Sequence, residues 1–212
     1  MKKIKWLGIV LLITVMGCAS SKITTSWKAK NITPQQYTKI LVLGLIRDTD
    51  RRIQERMEQH FVGDLTDLGY SAISALQEYG PKAFDSLNEK TALDKIKNTG
   101  ADAVITIVLL DIKKERKYVQ AQISYVRDFW GYYGSRYSRI YEPGYYVTDT
   151  KYFWESNFYD MRNQALLYSV QTESFSPENT ESMGHEYGKL IVNNMVKKKY
   201  CNQNLQRKSK IN

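Results

Sequence analysis

The chain contains few of the residues that build metal centres or covalent cross-links. Its 212 residues include two cysteines and two histidines, His60 and His185. A structural zinc site uses about four cysteine or histidine ligands, so the sequence predicts no metal site and no bound cofactor. With Cys18 assigned to a lipid below, Cys201 has no partner for an intramolecular disulfide. The fold is therefore expected to depend on packing alone.

A hydrophobic run long enough to span a bilayer is also missing at the N-terminus. The apolar run of residues 6–16 has eleven residues, whereas a bilayer-spanning helix needs about 20. Three lysines and no acid precede it, as in a secretory signal peptide. The run ends in "VMGC", residues 15–18, which resembles a bacterial lipobox. In that family the cysteine thiol receives a diacylglyceryl group, the signal is cleaved before it, and the new amino terminus is acylated. We therefore predict that Cys18 is lipidated; the alternative is a plain cleaved signal with an incidental cysteine.

The predicted lipid decides where the mature chain resides. Two or more acyl chains hold a protein stably on a membrane, at about 0.8 kcal/mol per buried methylene. Ala19 and Ser20 follow Cys18, and the resemblance to enteric lipoproteins implies outer-membrane sorting because no aspartate follows the cysteine. We expect a protein of the bacterial cell envelope, lipid-anchored to the outer membrane and facing the periplasm. The expected organisation is a signal peptide at residues 1–17, a lipidated tether at 18–36, a single α/β domain at 37–200 and a basic flexible tail at 201–212.

The net charge of +9 comes from the two ends of the chain. Three lysines lie in the signal peptide and six basic residues lie in residues 197–212, with no acid in either segment. The body between them keeps 22 of the 31 basic residues and all 22 acids, and is neutral. A nucleic-acid-binding domain normally carries a positive stripe on its folded surface, so we expect no nucleic-acid partner. The tail either contacts anionic lipid headgroups or is a solvated terminus.

Buried-strand patterns alternate with helix patterns in the first half of the domain. The segment "KILVLGLI", residues 39–46, is apolar almost throughout, which is typical of a strand covered on both faces. A helix with an apolar stripe from Ile53 to Leu68 follows and is expected to end at Gly69. The segment "YSAISAL" predicts a second strand, a shorter helix ends at Gly100, and "ADAVITIVLLDI" predicts a third strand. This order indicates right-handed crossovers and a parallel sheet with the first strand in the middle.

The second half of the domain shows antiparallel patterns. We interpret "KKERK", residues 113–117, as a charged turn that is followed by an alternating strand from Val119 to Tyr125. Two further strands, "TDTKYFWESNFYDM" and "ALLYSVQTESF", are joined across a turn at Asn163, and a final helix begins near Pro177. The predicted fold class is α/β: a mixed sheet in which a βαβαβ parallel core is extended by antiparallel strands, with the C-terminal helix packed on the sheet.

The order of these segments carries a family resemblance over residues 39–199. The succession of "KILVLGLI", "NTGADAVITIVLLDI", "YFWESNFYDMRNQALLYSVQTESFSP" and a terminal helix resembles uncharacterised envelope lipoproteins of the Bacteroidetes type. It is more distantly similar to the N-terminal α/β domain of the Tol-system periplasmic protein and to the core of the curli-secretion lipoprotein. The resemblance implies the same architecture, with "YDMRNQALLYSVQTES" as a hairpin at an exposed sheet edge. It implies no catalytic residue.

An aromatic belt is the main candidate for function. Eleven of the 16 tyrosines lie between Tyr118 and Tyr168. Aromatic side chains present a large rigid contact area with a polar end, which suits protein interfaces and carbohydrate stacking. The alternative is that the belt's loop folds over an open sheet edge and its rings only pack. The candidate partner-binding residues are Trp130, Tyr132, Tyr133, Tyr137, Tyr141, Tyr145 and Tyr146.

Catalytic patterns are missing from the sequence. Nucleophilic catalysis needs a base held beside a serine or thiol, and the chain has neither a GxSxG motif nor a Walker loop. We therefore predict that the protein is not an enzyme and assign no catalytic residue. If a cleft exists, open α/β sheets place it beyond the carboxyl ends of the parallel strands. It would then collect Arg47, Asp48, Gln77, Glu78 and Tyr79.

These patterns together predict a non-enzymatic function. It is a binding or assembly role of a lipid-anchored envelope protein toward a protein or glycan partner. The alternative is an envelope hydrolase that acts on a cell-wall or glycan substrate, with carboxylates that converge in a deep pocket. A third hypothesis is a structural subunit that oligomerises through the exposed hairpin edge. The expected partners are the membrane, through the N-terminal lipid, and an envelope protein or glycan, while homo-oligomer formation stays open.

Overall fold

The computed structural model describes residues 21–30, 36–47, 50–85, 87–119, 130–131, 133, 145–175 and 179–198. Its strands are β1 (Ser21–Lys28), β2 (Lys39–Leu45), β3 (Ser71–Ser74), β4 (Ala103–Val119), β5 (Tyr145–Asp160) and β6 (Ala165–Phe175). Its helices are α1 (Arg51–Asp67), α2 (Ala75–Tyr79), α3 (Glu89–Asn98) and α4 (Thr180–Lys197). Within these residues the strands form one mixed sheet in the order β1-β6-β5-β4-β2-β3.

The parallel core has the predicted arrangement. β2 pairs in parallel with β3 on one side and with β4 on the other, so the first predicted strand lies in the middle. The apolar stripe of α1 is buried, and the chain leaves this helix through Gly69, whose φ of 92° a residue with a side chain rarely adopts. β3 is shorter than predicted because Ser74 Oγ accepts a hydrogen bond from Gln77 N at 3.1 Å and thereby caps α2.

The antiparallel half contains the predicted hairpin and terminal helix, but the expectation that the hairpin is an exposed sheet edge is wrong because β1 pairs with β6. β5 and β6 are joined by a turn in which Asn163 Oδ1 accepts a hydrogen bond from Ala165 N at 3.1 Å. α4 begins after Asn179, whose side chain accepts from Ser182 N at 2.9 Å. Pro177 lies outside the described residues. The mixed sheet with a C-terminal helix packed on it confirms the predicted fold class.

Two apolar clusters lie on opposite faces of the sheet. α1 and α4 cover one face, where Phe61 and Tyr187 pack with their ring centroids 6.2 Å apart. α2 and α3 cover the other face over the parallel strands, where Leu41, Val104 and Ile96 belong to one buried cluster. β2 is therefore buried from both sides, which explains its almost continuous apolar sequence.

The sheet begins earlier in the chain than the sequence indicated. β1 pairs antiparallel with β6, from Ser21 opposite Ser174 to Lys28 opposite Tyr168, and forms one edge of the sheet. Residues 21–28 of the segment predicted as a tether, 18–36, form this strand. Most of its side chains are polar and exposed, so its attachment depends on backbone hydrogen bonds that a side-chain pattern does not report.

The interpretation of residues 113–117 as a charged turn is wrong. β4 runs through them, and each pairs with a residue of β5, from Lys113 opposite Lys151 to Lys117 opposite Val147. The ion pairs Lys151–Glu115 and Lys117–Asp149 run diagonally between the two strands and offset the like charges that face each other directly, so charged residues here stabilise a strand. The predicted strand from Val119 to Tyr125 shares only Val119 with the described residues.

Candidate functional site

β4 and β5 continue past the rest of the sheet as a two-stranded ribbon. β2 pairs with β4 as far as Leu45 opposite Val108, and β6 pairs with β5 as far as Phe175 opposite Lys151. Past these points, toward the end of β4 and the start of β5, the described residues of the two strands pair with each other. The name ribbon is used below for residues 113–119 of β4 and 145–151 of β5. At about 3.4 Å per residue the ribbon projects roughly 20 Å.

One face of the ribbon, called the paired face below, is held by ion pairs. Glu115 and Asp149 lie opposite each other, a placement that like charges disfavour. Lys151 Nζ donates to Glu115 Oε1 at 2.8 Å, and Lys117 pairs with Asp149. The hydrogen bond from Lys151 lowers the pKa of the Glu115 carboxyl, and the hydrogen bond to Asp149 raises the pKa of the Lys117 ammonium. The two acids on this face are thus compensated within the ribbon.

The other face, called the aromatic face below, carries exposed rings and basic side chains. Tyr118 lies opposite Tyr146, with ring centroids 5.2 Å apart, and the two residues are 52% and 61% exposed. The Arg116 guanidinium lies 5.1 Å from the centre of the Tyr146 ring, which is within cation–π range. Alternation along paired strands gives this face six residues without an acid: Lys114, Arg116, Tyr118, Tyr146, Thr148 and Thr150.

Four of the seven predicted partner-binding residues lie in the described part of the chain. Tyr146 belongs to the aromatic face, and Tyr145 belongs to the paired face with 63% exposure. Trp130 and Tyr133 are 75% and 52% exposed, with ring centroids 6.1 Å apart. All four present surface for contact. The other three, Tyr132, Tyr137 and Tyr141, lie outside the described residues.

A cleft of about 440 Å³ lies beyond the carboxyl ends of β2 and β3, where the sequence placed one. Of the predicted set, Arg47 lines it, together with Gln54, Lys82 and Asp85. The predicted Gln77, Glu78 and Tyr79 belong to α2 and are not among its lining residues, while Asp48 lies outside the described residues. Asp85 is the one acidic residue among the described residues that line the cleft.

A buried carboxylate lies beneath the cleft on α1. Glu58 is 0% exposed. Its Oε1 accepts hydrogen bonds from Gly44 N at 2.8 Å and Gln54 Nε2 at 3.1 Å. Its Oε2 accepts from Leu76 N at 2.9 Å and Ser74 Oγ at 2.5 Å. A Cβ at position 44 would lie 2.8 Å from Glu58 Oε1 and from Gln54 Cγ, so a side chain there would displace these hydrogen-bonding groups. These donors make Glu58 a clamp that ties α1 to the ends of β2 and β3.

Sequence reasoning missed Glu58 and Arg116. The signal for Glu58 was its position beside the buried Met57 on α1, with Gln54 one turn earlier as a polar neighbour on the same side. Arg116 was hidden in the segment interpreted as a turn. Its role depends on Tyr146, which is distant in sequence.

The described residues offer neither a metal centre nor a membrane span. No group of three or more His, Cys, Asp or Glu side chains in them is arranged to hold a metal ion. Among the helices of the same residues, none combines the length and the apolar character that crossing a bilayer requires.

Comparison with known proteins gives weak structural likenesses. No protein-family model and no curated protein matches the chain. The PelC dodecamer from Paraburkholderia phytofirmans is 11% identical, with a TM-score of 0.43 over 82% of this chain and 95% of that chain. A lipoprotein from Neisseria meningitidis is 16% identical, with a TM-score of 0.42 over 76% of this chain and 99% of that chain. Similar structures thus include a bacterial lipoprotein, but likenesses this weak assign neither a family nor a function.

Proposed function

We propose that the protein is a lipid-anchored protein of the bacterial envelope that acts by binding rather than catalysis, with the ribbon as its binding surface. The anchor is Cys18, supported by the "VMGC" sequence at the end of the short apolar run. An outer-membrane position facing the periplasm is part of the same proposal. The observation that carries the binding role is the aromatic face, with its exposed rings and basic side chains.

The ribbon is suited to contact because it contributes little to the core. None of the residues of its described strands belongs to the buried part of either apolar cluster. A two-stranded ribbon alone in water is only marginally stable, so contact with another surface would stabilise the ribbon. Tyrosine, tryptophan and arginine are enriched where proteins bind partners. Tyr118, Tyr146 and Arg116 supply two of these residue types, tyrosine and arginine, in one contiguous patch.

The cleft supports the hydrolase alternative less well. Both oxygens of Glu58 already accept hydrogen bonds from Gly44, Gln54, Leu76 and Ser74. A general base needs a free lone pair within hydrogen-bond distance of its substrate. The predicted acid Glu78 lies on α2 outside the cleft lining. The protein and glycan partners that the sequence suggested both fit the chemistry of the aromatic face.

The anchor and the binding surface can be tested separately in intact cells. Metabolic labelling with an alkyne fatty acid should mark the native chain and leave the Cys18→Ser variant unlabelled. Photo-crosslinking from position 148 should capture an envelope component, and the Tyr118→Ala, Tyr146→Ala double variant should lose that product. The control is Trp27→Ala, which removes a 50% exposed ring from β1 and should keep the product. An unchanged product in the double variant would contradict the binding role.

A further inference from the structure

The N-terminal end of β1 lies at the same end of the sheet as the ribbon. Ser21 is opposite Ser174, Ser174 is opposite Tyr152, and Tyr152 is opposite Ile112. Ser21 is therefore level with the base of the ribbon. From this level β1 runs toward Lys28 in the direction away from the ribbon. Ser21 is thus the end of β1 that lies nearest the ribbon.

The distance between Cys18 and this end of the sheet is short. Ala19 and Ser20 are the two residues between Cys18 and Ser21, and the extended chain from Cys18 to Ser21 spans at most about 11 Å. A bilayer that holds the acyl chains of Cys18 thus lies within that distance of Ser21. β1 extends about 24 Å from Ser21 in the direction away from the ribbon, so the folded body occupies that side. The strands then either lie along the bilayer surface or point the ribbon toward it.

The ribbon stays near the bilayer in both orientations. β5 and β4 lie two and three positions from β1 in the sheet, which is about 10 and 14 Å at the usual strand spacing. When the ribbon points toward the membrane, it projects roughly 20 Å from the level of Ser21. The membrane is at most about 11 Å from Ser21, so the ribbon reaches it. Its side chains are therefore held at the membrane surface.

We propose that the aromatic face of the ribbon docks on the headgroup region of the bilayer that anchors Cys18, with anionic lipid headgroups as its ligand. The inference rests on the proposed function, from which it takes the lipid on Cys18 and the ribbon as binding surface. Tyrosine rings favour the membrane interface, and basic side chains are attracted to anionic headgroups. Lys114 and Arg116 supply two positive charges on a face without an acid. On the paired face, Glu115 and Asp149 pair with Lys151 and Lys117, so its three lysines and two acids leave a net charge of +1.

The test uses the full lipidated protein in vesicles of phosphatidylcholine and phosphatidylglycerol. A polarity-sensitive dye is attached to Thr148→Cys on the aromatic face, in a Cys201→Ser background, because the lipidated Cys18 has no free thiol. The control site is Asn163→Cys, an exposed position in the turn at the opposite end of β5. The dye at position 148 should shift to the blue and be quenched by brominated lipids. The dye at position 163 lies about 40 Å or more away along the strand and should show neither effect.

Charge substitutions measure the contribution of the two faces. A basic residue near an anionic surface contributes about fivefold to association, so Lys114→Gln with Arg116→Gln should weaken docking roughly 25-fold. Lys113→Gln with Lys117→Gln removes the same charge from the paired face and should weaken docking several-fold less. Equal loss from both pairs, or quenching at position 148 that persists in pure phosphatidylcholine, would overturn the assignment of anionic headgroups to the aromatic face.

The remaining outcomes separate this inference from the proposed function. Equal quenching at positions 148 and 163 would overturn membrane docking. The dye at position 148 could instead shift to the blue only when an envelope protein or glycan fraction is added, without quenching by brominated lipid. This result would also overturn membrane docking, but it would leave the ribbon as the binding surface. If neither labelled protein floats with the vesicles, the lipid on Cys18 is missing, and both the inference and the proposed anchor fail.

Discussion

Replacing Glu58 tests whether the buried carboxylate is a clamp or a catalytic group. Glu58→Ala removes the acceptor of Gly44 N–H, Leu76 N–H and the Ser74 hydroxyl, while Gln54 keeps its hydrogen bond to Gly44 O at 2.9 Å. A buried donor that loses its partner costs about 1–3 kcal/mol, so with three such donors the variant should lose about 3–9 kcal/mol of unfolding free energy. Domains of this kind have about 5–15 kcal/mol in total. The expected loss is therefore a large part of the stability of the fold.

Urea unfolding of the purified protein measures this loss. Fluorescence reports the transition because Trp154 is 0% exposed. Glu55→Ala is the matched control on the same helix: Glu55 accepts a hydrogen bond from Gln59 Nε2 at 3.3 Å and is partly exposed, so its replacement should change the unfolding free energy by about 0.5 kcal/mol or less. A loss below about 1 kcal/mol for Glu58→Ala would refute the clamp. A Glu58→Gln variant that kept its stability and lost a hydrolytic activity would instead establish a catalytic role.

Two further predictions concern helix packing and the response to acid. A Cβ at Gly184 on α4 would lie 2.9 Å from the backbone oxygen of Arg56, which cannot move without shifting α1, so Gly184→Ala should lower the unfolding free energy by about 1–3 kcal/mol. A Cβ at Gly63 on α1 would have no atom within 4 Å, so Gly63→Ala should raise the unfolding free energy by about 0.5–1 kcal/mol. If urea unfolding shows a loss of stability for both variants, the packing argument is contradicted. The hydrogen bond from Arg162 lowers the pKa of Asp160, so the stability it contributes is present above the ordinary carboxyl pKa and is lost as the pH falls through the lowered pKa. Asp160→Asn should reduce the acid-dependent part of the unfolding free energy, and an unchanged pH dependence would exclude this contribution.

The parts of the fold that could be predicted are those whose side chains meet the core. Leu41 and Val42 of β2 are both 0% exposed, and a strand buried on both faces has to be apolar along its length. The stripe of α1 and the glycine that follows the helix are similarly direct signals. β1 gave no such signal because an edge strand is attached by its backbone to β6 while most of its side chains remain in water.

The strand at residues 113–117 and the role of Glu58 were not predicted because both depend on contacts between residues that are distant in sequence. The charges of residues 113–117 indicate a strand only after the register with β5 is known, since Lys151 neutralises Glu115 from 36 residues away. The donors to Glu58 come from Gly44 and Leu76, which are 14 and 18 residues away in sequence. A single sequence shows the residue types in both cases. It does not show which of them face each other.

The contacts that stabilise the domain lie outside the ribbon, at both ends of the parallel strands: the Glu58 clamp is at the end nearer the ribbon. At the end away from the ribbon, Asp102 accepts hydrogen bonds from the backbone N–H groups of Thr38 at 2.8 Å and Lys39 at 3.1 Å, and so joins β2 to the start of β4. The exposed Tyr118–Tyr146 pair contributes about 0.5–1.5 kcal/mol, less than the donors of Glu58. Alanine at these two tyrosines should therefore leave the unfolding transition near that of the native chain. Any loss of crosslinking or membrane docking in that variant is then caused by the removal of the two rings from the ribbon and not by unfolding of the domain.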